Sequence, residues 1–410
     1  MTKPGRIKEA IILAGGKGTR LREVVFDIPK PMAPVGGIPF IQYQLDYLID
    51  QKIERVVLAV GFKHEVIIEY FGRSYKSLSL VYSIEEKALG TGGAIKKALG
   101  NVRGQAAYVL NGDTYFPIDL DHLKLAKGIC AIAALYMKQA NRYGTLQTSG
   151  NLVEGFQEKG EVKAGIINGG IYRLKKEIVA EIPDGNVSFE TSILPKLCQS
   201  ANVTYQVFKN YFIDIGIPKD YYKFQTYMSK TAFKSLPIDS SWTLFLDRDG
   251  VINERLIDDY VKQLNELSII EGVPAAISLF TKLFQRIVVV TNQQGIGKGM
   301  MTADDLAVVH GYIAEVIEQA GGQIDQFYFA PQLAAEKSND RKPGTGMGLQ
   351  AKKEFPEIDF KKSIMIGDSE SDIEFGMKLG MKTIMLKNGR NLRSKADYIF
   401  ENLHEVSKAL

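Results

Sequence analysis

At 410 residues the chain exceeds the size at which one hydrophobic core stops growing, so two domains of ordinary size are expected. Its 45% hydrophobic and 24% charged residues match a soluble globular protein, and a net charge of +4 from 51 basic and 47 acidic residues leaves no basic block to bind nucleic acid. No apolar run approaches the ~20 residues of a membrane span, and "MTKPGRIKEA" lacks the apolar core of a secretion signal, so a cytoplasmic protein away from membranes is expected.

Taken in chain order, "EAIILAG", "RVVLAV", "AAYVLNG" and "ICAIAALY" read as strands in the first half, and "WTLFLD", "RIVVVT", "SIMIGD" and "KTIMLK" in the second. They alternate with helical patterns, which predicts an α/β fold in which each domain is a mostly parallel, doubly wound sheet. Periodicity is lost in "YMSKTAFKSLPIDSS", which predicts domains over residues 1–230 and 241–410 joined by a linker at 231–240. No internal repeat relates the halves. In "TADDLAVVHGYIAEVIEQA", Leu306, Val309, Ile313, Val316 and Ile317 share a face and Thr302 with Asp305 forms a capping box, which predicts a core-covering helix. Cys130 and Cys198 lack metal-ligand spacing and read as buried thiols in a reducing compartment.

"LAGGKGTRL" follows the first predicted strand. Gly15, Gly16 and Gly18 allow backbone N–H groups to approach a triphosphate, while Lys17 and Arg20 supply charge and "IPKPM" adds Lys30 between two prolines. The pattern fits neither the Walker loop nor the dinucleotide-binding loop. GGxGTRL followed by PKP, then "ALGTGGA", "NGD", "RYG", "EK", "NGG" and "FIDIGIP" in order, resembles the sugar-1-phosphate nucleotidyltransferases over residues 8 to about 225. Singly, Asp214 reads equally as a turn residue, Asn168 as a loop former and "EK" as an exposed pair.

The resemblance implies a Rossmann-like (GT-A-like) domain in which Leu13, Gly15, Gly16, Lys17, Gly18 and Thr19, with Gly90, Thr91 and Gly92, bind the nucleotide. Transfer brings two anions together, and Asp113 and Asp214 at strand ends suit Mg²⁺, which offsets their repulsion. Arg20 and Lys30 would stabilise charge developing on the α-phosphate and pyrophosphate. Lys159 would grip the sugar phosphate, with Glu158 and Asn168 on sugar hydroxyls. "LGTGG" after Glu85 and Glu86 resembles guanylyltransferases and implies GTP.

In the second half "WTLFLD" delivers Asp247 at a strand end with Asp249 two positions on, a spacing that turns both carboxylates to one side. Two acids this close are costly unless a cation or phosphate chemistry requires them. Together with Thr291 and Asn292, "RKP" (Arg341 to Pro343) and "IGDSESD" (Gly367 to Asp372 included), this DxDG resembles the haloacid-dehalogenase phosphatases over residues 242 to about 400. By that resemblance Asp247 attacks phosphorus, Asp249 acts as acid then base, Thr291 and Lys342 hold phosphoryl oxygens with Asn292 and Arg341 nearby, and Asp247, Asp249 (through its carbonyl) and Asp368 bind Mg²⁺, supported by Asp372. The spacings leave no room for a cap domain. The branch with heptose bisphosphate and histidinol phosphatases is most similar, but "YFAPQLAAEKSNDRKP" lacks that branch's Cys/His zinc ligands, so no zinc is expected. His64, His122, His310 and His404 stand outside every motif and read as structural or exposed.

Two opposed activities cooperate only if one substrate carries two phosphates. The paired resemblance therefore implies removal of the 7-phosphate of a heptose 1,7-bisphosphate followed by transfer of GMP from GTP to the 1-phosphate, with Mg²⁺ at both sites. GTP and sugar phosphates are the expected partners, and oligomeric state is left open. The rivals are a mannose-1-phosphate guanylyltransferase or an amino-sugar uridylyltransferase fused to another phosphatase, or one half acting only as a binding module.

Overall fold

A computed structural model describes residues 6–16, 18, 21, 25, 28–125, 127–157, 164–257, 259–390 and 394–410. The chain divides into two compact units, Met1–Phe224 and Gln225–Leu410. That division falls inside the helix Pro218–Phe233, and Phe233 is buried in the second unit's core, so Thr231 to Phe233 of the expected linker are helical.

The first unit holds a ten-stranded sheet whose order is Thr145–Ser149, Leu152–Gln157, Val203–Val207, Cys130–Met137, Gly165–Lys175, Ala106–Asn111, Glu9–Ala14, Arg55–Val60, Leu78–Ile84, Ser74–Tyr75. Ala106–Asn111 through Leu78–Ile84 are parallel neighbours, as expected. The other half is largely antiparallel, with Gly165–Lys175 running against both of its neighbours, so the sheet as a whole is mixed rather than mostly parallel. At the sheet edge a short connection imposes one of these pairings: only Gly150 and Asn151 separate Thr145–Ser149 from Leu152–Gln157, and a two-residue turn joins only antiparallel strands.

Alternation along the central strands builds a core on each face. Ala10, Ile12 and Ala14 pack with Ile41, Leu45 and Leu48 of the helix Phe40–Asp50, while Ile11 packs with Ile95, Ala98 and Leu99 of the helix Gly90–Leu99.

The second unit is a six-stranded, wholly parallel sheet in the order Gln326–Ala330, Arg286–Asn292, Thr243–Leu246, Ser363–Gly367, Lys382–Leu386, Tyr398–Phe400. Leu244 and Leu246 face one core, shared with the helices Val273–Phe280 and Ala303–Gln319, and Phe245 faces the other, shared with Gly346–Glu354 and Glu370–Leu379. The helix Ala303–Gln319 starts at the Thr302–Asp305 capping box and buries Leu306, Val309, Ile313 and Ile317. The stretches between Asp247 and Thr291 and between Thr291 and Lys342 form strands, covering helices and loops, with no inserted domain among the described residues.

In each sheet the chain winds outward from a central strand, then crosses to that strand's other side. The reversal lies between Glu9–Ala14 and Ala106–Asn111 in the first unit and between Thr243–Leu246 and Ser363–Gly367 in the second. Crevices beyond the carboxyl ends of strands at such reversals are where α/β sheets bind ligands.

Candidate active sites

In the first unit the reversal brings together Gly15, just past one strand, and Asn111, Gly112 and Asp113 at the end of the next. Gly112 donates its N–H to the Leu13 carbonyl at 3.0 Å, and a Cβ there would lie 2.4 Å from that oxygen, so only glycine fits. Two cavities open from this seam. One of about 580 Å³ is lined by Leu13, Gly15, Gly16, Lys30, Glu85, Gly90, Thr91 and Asp113. The other, of about 280 Å³, is lined by Arg142, Asn168, Glu190 and Asp214. Asn111 and Asp113 line both, so a ligand in one cavity meets a ligand in the other at Asp113.

Lys30 places Nζ 2.5 Å from Asp113 Oδ2 and 3.7 Å from Asp214 Oδ1. The two carboxylates thus flank one ammonium, and Asn111 Oδ1, of a residue on the wall of both cavities, is buried without a hydrogen-bond partner among the described residues. The helix Gly90–Leu99 points its first turn at the larger cavity. Gly90 has φ +66° and a Cβ on it would lie 2.5 Å from the Val187 carbonyl, which fixes the close approach of that turn. Gly92 donates its N–H to the same carbonyl at 2.8 Å and supports the turn from outside the cavity wall, as Gly18 supports Lys30 from beneath. Burial raises the Glu85 carboxyl pKa, opposed by the Leu89 N–H that the carboxylate accepts at 3.1 Å. Lys17, Thr19, Arg20, Glu158 and Lys159 lie outside the described residues.

In the smaller cavity a bulge re-aims the "NGG" segment: the register of Gly165–Lys175 shifts between Asn168 and Ile171, with Gly170 at φ +69°. A Cβ on Gly169 would lie 2.6 Å from the Phe116 ring and 2.7 Å from the Ala133 carbonyl. Glu190, which its sequence context "SFET" gave no reason to single out, enters this cavity from a short π-helix, Phe189–Ile193. Arg142 of "RYG" lines it too, paired at 2.6 Å with the buried Asp220.

In the second unit a cavity of about 550 Å³ is lined by Asp247, Asp249, Thr291, Asn292, Arg341, Lys342, Asp368 and Asp372. Lys342 Nζ bridges Asp247 Oδ1 at 2.7 Å and Asp372 Oδ1 at 2.6 Å, and Asn292 pins its backbone by exchanging hydrogen bonds with the Lys342 carbonyl and N–H at 3.0 and 2.9 Å. Burial, then the neighbouring Asp372, pushes the Asp247 carboxyl pKa up, against Lys342. Asp249 is turned away from this group. Its oxygens accept hydrogen bonds from Arg248 at 2.8 and 2.9 Å, from Asn253 at 2.9 Å and from Gln293 at 2.9 Å. Burial raises its pKa, but Arg248 and these bonds outweigh that and hold it low.

Asp247, Asp368 and Asp372 form the one group of three carboxylates able to share a metal ion among the described residues. Asp368 is gripped on one side by Arg390 at 3.1 Å and Arg255 at 3.5 Å, while its Oδ1 is buried without a hydrogen-bond partner among the described residues, a donor that a cation would satisfy. Asp372 also accepts from Ser369 N and Oγ at 3.1 and 2.6 Å, which fixes it as the carboxylate that holds Lys342. Arg248, Gln293, Arg255 and Arg390 were not legible as site residues. Arg248 lay within "DRDG" and Gln293 directly after Thr291 and Asn292 in "TNQQGIGKG", but neither was singled out, and Arg255 and Arg390 lay outside the motifs.

Comparison with known proteins matches the two halves separately. Residues 9–231 match the nucleotidyl transferase family model, and residues 339–406 match a HAD-hydrolase-like model. A D-glycero-alpha-D-manno-heptose 1-phosphate guanylyltransferase of Campylobacter jejuni is 47% identical over 218 residues, 53% of this chain and 98% of the relative. A D-glycero-alpha-D-manno-heptose-1,7-bisphosphate 7-phosphatase of Mycobacterium bovis is 34% identical over 173 residues, 41% of this chain and 91% of the relative. The crystal structure of HddC from Yersinia pseudotuberculosis is 38% identical with a TM-score of 0.51, covering 54% of this chain and 100% of that one. The chain thus belongs to the nucleotidyl transferase family in its first half and joins to it a HAD-like phosphatase.

Proposed function

We propose that this chain removes the 7-phosphate of D-glycero-D-manno-heptose 1,7-bisphosphate in its second unit and transfers GMP from GTP to the resulting 1-phosphate in its first, releasing pyrophosphate and GDP-heptose. The observation that carries this reading is that the relatives matched by the two halves are named for reactions on heptoses that differ by one phosphate. The functional domains would be residues 1–230 and 241–410. Among the described residues no helix is long and apolar enough to cross a membrane, and both cysteines are buried free thiols, in keeping with a cytoplasmic enzyme.

GTP would occupy the larger cavity, its base near Glu85, whose carboxylate is an acceptor suited to the adjacent N–H donors of guanine. Its phosphates would lie along the Gly15–Gly16 loop, with Lys17 and Thr19 beside them. Lys30, with Arg20, balances charge on the α-phosphate and the departing pyrophosphate. The sugar occupies the smaller cavity, with Asn168 and Glu158 on its hydroxyls and Lys159 on its phosphate, whose oxygen attacks the α-phosphorus across the seam at Asp113.

In the second unit Asp247 attacks the 7-phosphate phosphorus, and the C7 oxygen departs with a proton from Asp249, whose carboxylate takes that proton up from solvent once it exchanges its bonds to Arg248 and Gln293 for the substrate. Water, deprotonated by Asp249, then cleaves the aspartyl phosphate. Lys342 and Thr291 hold the phosphoryl oxygens, with Asn292 and Arg341 at the cavity wall. Asp113 and Asp214 in one site, and Asp247, Asp368 and the Asp249 carbonyl in the other, would hold Mg²⁺, which would supply charge neutralisation when bound. The second site would take Mg²⁺ rather than zinc.

The test is a panel of four nucleoside triphosphates against several sugar phosphates, with phosphate and pyrophosphate release followed separately. GTP with heptose 1-phosphate should give the highest turnover. Equal or better turnover with UTP at subsaturating concentration would overturn the guanylyl assignment.

A further inference from the structure

Between the two cavities of the first unit runs a chain of side-chain hydrogen bonds whose polarity is set at both ends. Phe189 donates its N–H to Thr91 Oγ1 at 2.8 Å, so the Thr91 proton goes to Glu190 Oε2 at 2.7 Å. At the other end Gly170 donates its N–H to Asn168 Oδ1 at 3.0 Å, and Asn168 Nδ2 donates to the Tyr172 hydroxyl at 2.7 Å. The Tyr172 proton therefore goes to Glu190 Oε1 at 3.3 Å. Tyr172 is fully buried, so its hydroxyl has no bulk water to take the place of Asn168 or Glu190. Thr91 lines the nucleotide cavity, while Glu190 and Asn168 line the other.

Resting on the functional reading above, we infer that Glu190 is a positioning residue that links the nucleotide turn to the sugar pocket: as the one acceptor of two protons, it fixes which way the Asn168 amide faces the sugar. A glutamine at 190 offers a donor where two donors already point. The remaining acceptor goes to Thr91, the closer partner at 2.7 Å, so Tyr172, at 3.3 Å, loses its acceptor and the Asn168 amide that donates to it loses a fixed partner.

The test follows guanylyl transfer in the full chain for Glu190→Gln, Tyr172→Phe and the double variant. Both single variants should raise KM for the preferred sugar 1-phosphate about tenfold or more while KM for GTP moves less than about threefold. The double variant should cost no more than the worse single one, because both break one chain. An unchanged sugar KM in either single variant, multiplying effects in the double, or a rise confined to KM for GTP would overturn the inference. Near-native KM for GTP shows the fold to be intact, and Tyr172→Phe keeps the buried ring. If the wild-type chain prefers another sugar 1-phosphate, the heptose reading falls, and the Glu190 test proceeds on that sugar.

Discussion

Lys342 is 3% exposed and stands between two carboxylates, so its ammonium is the group that lets Asp247 and Asp372 be buried together. Removing one partner of a buried ion pair costs about 3–5 kcal/mol, and losing a charge aimed at the transferring phosphoryl group costs about 10²–10³ in rate. Lys342→Met should therefore lose phosphatase activity by at least that factor and destabilise the second unit, while guanylyl transfer persists. Both activities measured on one preparation check it. His310 behaves differently. It stacks on Phe327 at 4.4 Å and lies 3.4 Å from Arg248, and burial first, then that guanidinium, lower its pKa from 6.5 to about 3, with Asp249 opposing. Between these values the unfolded chain takes up a proton that the folded chain refuses, so stability falls as pH drops through this window. From pH 7 to pH 5 the group should cost about 2 kcal/mol, a loss that His310→Gln escapes. Urea unfolding at both pH values, read by the buried Trp242 in the second core, would measure the difference.

At the level of the element, the capping box on Ala303–Gln319 satisfies two helix-end groups: Asp305 N–H donates to Thr302 Oγ1 at 3.1 Å, and Thr302 N–H to Asp305 Oδ2 at 2.8 Å. The helix covers one core through Val309, Ile313 and Ile317, so fraying its first turn weakens the second unit. Thr302→Ala should cost about 1 kcal/mol, seen as a lower urea midpoint in Trp242 fluorescence with unchanged kcat at both sites. The "NGG" bulge in Gly165–Lys175 acts instead on chemistry. It puts Asn168 in the smaller cavity while Tyr172 stays buried behind it, and the ring of Phe116 closes the space that any side chain at Gly169 would need.

For the whole molecule, two sites at the reversal points of two independent sheets make the order of reactions a matter of substrate charge. A sugar bearing a second phosphate would bring a further dianion into the smaller cavity, whose lining includes Asp113, Asp214 and Glu190 and whose Arg142 is already paired with Asp220, so like charges oppose it. Dephosphorylation should come first. Supplied with heptose 1,7-bisphosphate, GTP and Mg²⁺, the wild-type chain should form GDP-heptose, whereas Asp247→Asn should stall until heptose 1-phosphate is added. Mass spectrometry decides it, since GDP-heptose 7-phosphate from the variant would show transfer acting first.

Strand positions, the α/β class, the capping box and the ordered motifs were legible because each depends on spacing within a few residues: period-two runs, a glycine where a turn needs it, paired aspartates at a strand end. Lys342 could be named from "RKP", but its place 95 residues from Asp247, bridging to Asp372, follows from the sheet order. The mixed half of the first sheet, the turning of Asp249 onto Arg248 and Gln293, and the line from Thr91 through Glu190 to Asn168 were decided only by the tertiary structure. Local spacing sets the period of an element and the turn that ends it. Which distant groups meet across a seam depends on the pairing of strands and the packing of two cores, and no short window of sequence contains that pairing.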